Sequence, residues 1–232
     1  MRAVLVFVVV FGGVLGAALI LHPDSPLPDG WNPTEPLAIG DTVTPLTEWK
    51  LRQAVSDPAL CQAILEDGAG LVAVTKVTSE NPNCGVATAV KLSGVGQARV
   101  GVQTACETAL RLAMWERHSL QPAARDILGR SVDAIRDQGS YNCRQMRTTR
   151  GGPARWSTHA TAMAIDVRGL RLDDGTDIVL LRDWTGDADV GRFLRLIRDE
   201  ACTWFGTVLG PDYNRLHADH FHLQSRGWGT CR

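Results

Sequence analysis

Four of the six histidines in this 232-residue chain fall in two short segments, Ser157-Thr-His159-Ala-Thr-Ala-Met-Ala-Ile-Asp166 and His217-Ala-Asp-His220-Phe-His222. Imidazole nitrogens and carboxylate oxygens are the donors a catalytic zinc takes from a protein. Three usually suffice, with a fourth position left to a water whose pKa the metal lowers to about 7. Two histidines and one aspartate from these segments would meet that requirement. A closed, thiolate-rich structural site is not expected, because the six cysteines are scattered and no CxxC pair occurs. A serine nucleophile is a weak alternative, since no GxSxG elbow is present.

These donors need elements that aim them at one point. If Asp219–Gln224 is a strand, alternation puts His220, His222 and Gln224 on one side and sends Phe221 and Leu223 into the core. By the same rule Ala162, Ala164 and Asp166 share a face of the neighbouring segment, with small residues leaving room beside the carboxylate. Asp173-Asp174-Gly175-Thr176 lies between apolar runs at 162–167 and 178–181 and predicts a hairpin. Upstream, Asp57-Pro58 reads as an N-cap with proline at the first helical position, opening a helix that carries Cys61 and Ile64 and stops near Gly68. Further helices are expected over 104–115, after Gln121-Pro122, and over 188–205. The last has Val190, Phe193, Leu194, Ile197, Ala201 and Phe205 on one face and ends at Gly206. Val86 to Leu92 predicts a strand. Helices before and between short strands imply an α+β domain with a small antiparallel sheet flanked by helices.

The bulk properties narrow the setting. With 24 basic against 25 acidic residues there is no electrostatic footprint for nucleic acid. Ala3 to Leu21 is uninterrupted by charge and is expected to be a transmembrane signal anchor over 1–22, a cleaved signal peptide being the alternative. The prolines at 23, 26, 28, 33, 36 and 45 suggest an extended tether over 23–45, leaving 46–232 as the folded domain. Either leader exports that domain, so it is expected in the periplasm or extracellular space, held at the cytoplasmic membrane through residues 3–21. An even set of cysteines at 61, 84, 106, 143, 202 and 231 then implies up to three disulfides, with the pairing left open.

The two histidine segments resemble the SxHxxGxAxD and HxxHxH motifs of the zinc D-alanyl-D-alanine carboxypeptidases and murein endopeptidases. More closely, the stretch from about Cys61 to Cys231 is similar to the bacterial extensin-like C-terminal domain family. Gly139-Ser-Tyr-Asn-Cys-Arg144, Asp183-Trp184, Ala201-Cys202 and Val208-Leu-Gly-Pro-Asp-Tyr-Asn214 extend the match. The resemblance implies that His159, Asp166 and His222 bind zinc, that His220 and His217 assist catalysis, and that Arg144 binds substrate or steadies developing charge. Some relatives place a glutamate base three residues before the last ligand, here Asp219. Strand parity points Asp219 away from His222, which favours His220. Ala162 stands where the motif has glycine, and Ser157 either orients a ligand or caps a turn. The implied activity is zinc-dependent cleavage of peptidoglycan peptide, as a carboxypeptidase or endopeptidase. A non-catalytic zinc module that binds or scaffolds peptidoglycan is the alternative.

Overall fold

The computed structural model describes residues 2–20, 22, 25–28, 30–147, 155–186 and 188–232. The first helix, α1 (Arg2–Ile20), corrects the expected transmembrane segment: among the described residues no helix is long and apolar enough to cross a membrane. Nineteen residues rise roughly 28 Å, the first of them is charged, and a hydrocarbon core is about 30 Å thick. Leu21, Pro23, Asp24 and Asp29, at the junction of the expected anchor and tether, lie outside the described residues.

The proline-rich stretch is not extended throughout. From Gly30 it packs on the domain, with Leu37 and Ile39 in the core and Thr44 Oγ1 donating to the Gly30 carbonyl. The helices α2 (Thr47–Ser56) and α3 (Pro58–Gly68) follow, and the Asp57 side chain accepts from Ala59 N and Leu60 N to cap the second. Then come β1 (Ala69–Val77), β2 (Val86–Val95) and β3 (Ala98–Ala105), which leads directly into α4 (Cys106–Trp115). All ten residues of α4 are buried, so it is the central post of the core rather than an amphipathic surface helix. Its indole and guanidinium find acceptors on the far side: Trp115 Nε1 donates to Ile197 O, and Arg111 Nη1 to Trp204 O.

One π-helical turn, Glu116–Leu120, joins α4 to α5 (Gln121–Leu128), and β4 (Val132–Asp137) follows. After the loop that carries Arg144 come β5 (Ala164–Leu172), β6 (Asp177–Val179), α6 (Leu180–Asp183) and α7 (Asp189–Trp204). Phe193, Leu194, Ile197 and Ala201 on α7 are fully buried, as the amphipathic pattern predicts. The chain closes with β7 (Thr207–Leu209), β8 (Phe221–Gln224) and β9 (Thr230–Cys231).

The class is α+β, but the sheet is neither small nor purely antiparallel. Nine strands join in one sheet, ordered β1-β2-β3-β4-β5-β8-β7-β9, with β6 also pairing β5. The β3–β4 and β7–β9 pairs are parallel. The expectation missed β1, β3 and β4, although alternation is legible in β3, where Ala98, Val100 and Val102 are buried and Arg99, Gly101 and Gln103 exposed. The parallel pairs arise because helices α4 and α5 intervene between β3 and β4, and the histidine loop returns the chain between β7 and β9.

Three disulfides fix this arrangement: Cys61–Cys106 ties α3 to α4, Cys84–Cys143 ties the β1–β2 loop to the loop after β4, and Cys202–Cys231 ties α7 to β9. Such bridges persist in oxidising compartments, so the domain belongs outside the cytoplasm, in an extracellular or periplasmic setting.

The turn entering β5 is built around Ala162, which has φ 52° and is the one non-glycine residue with positive φ among those described. A left-handed alanine costs roughly 1–2 kcal/mol, and a cluster of hydrogen bonds holds it. The Ala162 carbonyl accepts from Thr108 Oγ1 at 2.9 Å, Thr104 Oγ1 at 3.1 Å and Ala105 N at 3.3 Å. Ser140 Oγ donates to Ala164 O at 2.6 Å, and Ser225 Oγ lies 2.7 Å from Thr108 Oγ1. These buried hydroxyls bind β3, α4, β5 and the end of β8 into one unit. The Ala162 side chain is itself fully buried against Val86, Ala89 and Ala105. Ala162→Gly therefore trades relief of the backbone against a lost methyl contact and should leave unfolding free energy within about 1 kcal/mol of the parent. Ala162→Val should lower it by at least about 2 kcal/mol, because a β-branched residue resists this conformation. Urea unfolding of the two variants beside the parent measures both.

Candidate metal centre

Strands β5 and β8 lie antiparallel with Asp166 directly opposite His222 and Ala164 opposite Gln224. Alternation places Ile165, Val167, Phe221 and Leu223 on the opposite face, all fully buried in the core. The cross-strand pair is thus set by the same register that fills the core. The third member arrives on a short 3₁₀ turn, Thr158–Thr161, whose N-cap is Ser157: its Oγ accepts from His159 N at 3.3 Å. Of the two roles open to Ser157, capping is the one it performs. The Cys84–Cys143 bridge pins this turn from both sides, with Gly85 N donating to Ala160 O and Asn142 N to His159 O.

Three donor atoms converge. His222 Nδ1 lies 2.9 Å from Asp166 Oδ1 and 3.1 Å from His159 Nε2, and His159 Nε2 lies 3.2 Å from Asp166 Oδ1. A tetrahedral metal with bonds of 2.0–2.1 Å separates its ligand atoms by roughly 3.3 Å. The triangle is close to that size, so these three residues can hold a divalent ion. The remaining nitrogens of the two rings are also engaged. His159 Nδ1 faces the Ser140 carbonyl at 2.8 Å, which puts its hydrogen there and leaves Nε2 with a lone pair. His222 Nε2 faces Gln224 Oε1 at 3.4 Å, leaving Nδ1 for the centre.

The electrostatics follow from crowding. Burial alone would push the Asp166 carboxyl up, but its close contacts with the His159 and His222 rings hold it far below the usual carboxylate range. Asp166 is therefore an anion ready to bind a cation. His217 goes the other way: burial first, then the charges of His222 and His220, push it down to about 4.

His220 and His217 border the triangle. His220 Nε2 lies 3.6 Å from Asp166 Oδ1, and the His217 ring centroid is 5.3 Å from that of His220 and 5.8 Å from that of His222. His220 precedes β8 rather than lying within it, and Asp219 sits in the preceding turn, so strand parity does not govern either residue. The Asp219 carboxylate stands at the edge of the cleft and contacts His220 Nδ1 at 2.8 Å. Arg144 lines the same cleft, with Nη1 donating to Gln145 O at 3.3 Å, and Arg147 lies beside it.

The cleft has a volume of about 520 Å³ and a mixed lining that includes Gln138, Tyr213 and Leu216. The structure thus brings His159, Asp166, His222, His220, His217 and Arg144 to one cavity. Sequence reasoning missed Asn214, whose Oδ1 faces His217 Nδ1 at 2.9 Å while capping the turn Arg215–His217. An asparagine three residues before a histidine was the available signal. The Ser140 carbonyl had none, because a backbone acceptor has no sequence signature.

An α+β domain whose sheet presents a His-Asp-His donor triangle at the floor of a polar cleft is the class these observations define. Residues 59–232 match the family described as extensin-like protein C-terminus, three quarters of the chain, and the chain belongs to that family. No curated protein and no solved structure matches it.

The depressed His217 makes a prediction about stability without metal. The unfolded chain takes up this proton near pH 6.5 and the native state only near 4, so stability is lost as pH falls through that interval. His217→Gln removes this contribution. Urea unfolding of the zinc-stripped proteins at about pH 7 and about pH 4.5 should show a smaller loss of stability in the variant than in the parent.

Proposed function

We propose that the protein is a zinc-dependent hydrolase of peptide bonds in peptidoglycan, acting outside the cytoplasm. The observation that carries this reading is the donor triangle of His159, Asp166 and His222, with separations of 2.9–3.2 Å and a further histidine, His220, 3.6 Å from its carboxylate. Two histidines and a carboxylate form a donor set suited to zinc, and three protein donors leave a position open for chemistry. The similarity of the two histidine segments to the motifs of zinc D-alanyl-D-alanine carboxypeptidases and murein endopeptidases supports both the metal and the substrate class.

Zinc, when bound, supplies a Lewis acid that acidifies water and polarises a carbonyl. The chain's own residues do the rest. His159 and His222 present lone pairs fixed by Ser140 O and Gln224 Oε1, and Asp166 contributes the anionic charge. His220 is the proton carrier between water and the leaving amine, and His217 lines the wall beside it. Arg144 offers a guanidinium to a substrate carboxylate or to the developing oxyanion. The cavity of about 520 Å³ suits a short peptide segment, and its polar lining suits the amides and carboxylates of a cell-wall stem.

The test is mass spectrometry of cross-linked peptidoglycan incubated with the purified, zinc-loaded chain. New peptide products are expected from the parent. His220→Ala should retain zinc and lose about 10²–10⁴-fold in turnover, whereas His159→Ala should lose both zinc and activity. Metal content by atomic emission separates the two variants. A folded, zinc-bearing parent that yields no products sinks the hydrolase reading in favour of a peptidoglycan-binding module.

A further inference from the structure

Two imidazoles in the cleft stand outside the donor triangle, and the residues that hold them differ in charge. His217 turns Nδ1 to Asn214 Oδ1 at 2.9 Å, and the same oxygen accepts from Leu216 N at 2.9 Å, which fixes the amide with its oxygen toward the ring. His220 turns Nδ1 to Asp219 Oδ1 at 2.8 Å. In both rings the acceptor draws the hydrogen to Nδ1 and leaves a lone pair on Nε2. The consequences differ once a proton arrives at Nε2. A carboxylate stabilises the resulting imidazolium by charge and by a stronger hydrogen bond, while a neutral amide offers only the bond. Position agrees with charge, since it is His220 whose Nε2 approaches the Asp166 carboxylate, at 3.6 Å.

Asp219 is also held. Hydrogen bonding to His220, above all, keeps its carboxyl below the usual range, and a bond with the Gln138 side chain contributes. Its own side chain is about half exposed, so its solvation offsets little of the core's stability. A turn residue so placed has no packing duty that would account for the contact.

We propose that Asp219 is the positioning residue for His220: it fixes the ring so that Nε2 faces the reacting groups, and it stabilises the imidazolium formed there. The Asn214–His217 pair, lacking a carboxylate, stays neutral and takes no proton in the reaction. The proposal rests on the hydrolase reading. As the oxygen of a water in the cleft bonds to the amide carbon, one of its protons passes to His220 Nε2 and the ring charge is shared with ionised Asp219. That proton moves on to the amide nitrogen as the C–N bond breaks, releasing an amine and a carboxylic acid that ionises to solvent. No oxidant or further reactant is needed.

The experiment compares the full-length chain with Asp219→Ala and Asp219→Glu in three readouts. Long-range ¹H–¹⁵N spectra of the zinc-free protein should show His220 with its hydrogen on Nδ1, and Asp219→Ala should lose that preference. In steady-state turnover of peptidoglycan fragments, Asp219→Ala should lower kcat about 10–100-fold with KM changed by no more than about twofold, and Asp219→Glu should recover part of the loss. Zinc content should be equal in all three. Wild-type kcat in Asp219→Ala, or a His220 hydrogen on Nε2 in the parent, overturns the proposal. A parent that binds zinc and turns over nothing overturns the hydrolase reading and with it the proton-carrier role, whereas the spectra judge Asp219's hold on the ring independently of turnover.

Discussion

Asp166 is partly buried, with its carboxylate oxygen about 3 Å from two imidazole nitrogens, and the local architecture answers to that placement. Removing a carboxylate from water is costly unless its charge is met by partners of opposite sign or by hydrogen-bond donors. Here the partners are bases whose other nitrogens already donate to Ser140 O and Gln224 Oε1. Without a cation, the three lone pairs repel one another across 2.9–3.2 Å. With a cation, all three lone pairs are used at once. The triangle is thus an arrangement that is compensated best by a metal, which is why its geometry, and not the mere presence of histidines, supports a metal centre.

Holding such a cluster requires rigid supports, and they come from three independent directions. The β5–β8 register fixes Asp166 opposite His222. The capped turn at Ser157 presents His159, and the Cys84–Cys143 bridge keeps that turn from drifting. Behind both, hydroxyls from Thr104, Thr108, Ser140 and Ser225 converge on the carbonyls around Ala162. Buried hydroxyls are costly when unpaired, and in this network each is paired to another member or to β5, so the strain at Ala162 is offset close to where it arises.

How much of this was readable follows from where the information lies. Alternation in Phe221–Gln224 and the clustering of histidines depend on local spacing, so the shared face of His222 and Gln224 and the opposing core face of Phe221 and Leu223 were legible. So were the Asp57 cap and the apolar face of α7. The disulfide pairing, the nine-strand mixed sheet and the Ser140 carbonyl depend on contacts distant in sequence, which periodicity does not encode. The same limit explains the extended tether over 23–45: prolines predict the local backbone, yet Leu37 and Ile39 are drawn into the core by surfaces supplied by residues far along the chain. An uncharged run from Ala3 to Leu21 predicted a membrane span, yet among the described residues no helix is long and apolar enough to cross a membrane.

Asp219 shows the cost of extending a periodic rule one residue too far. Parity along an imagined strand from 219 to 224 sets its carboxylate away from His222, and within β8 proper that rule is obeyed. The strand begins only at Phe221, however; Asp219 is in a turn and His220 in irregular backbone, where side-chain direction is set by local hydrogen bonds instead of pleat. There the short acidic side chain reaches the next residue's ring. A contact between adjacent residues of this kind is impossible in an extended strand, whose successive side chains point apart. The start of β8 at Phe221 is therefore a structural boundary: inside the strand the pleat aims residues at the donor triangle, and just before it the backbone lets a carboxylate and an imidazole meet.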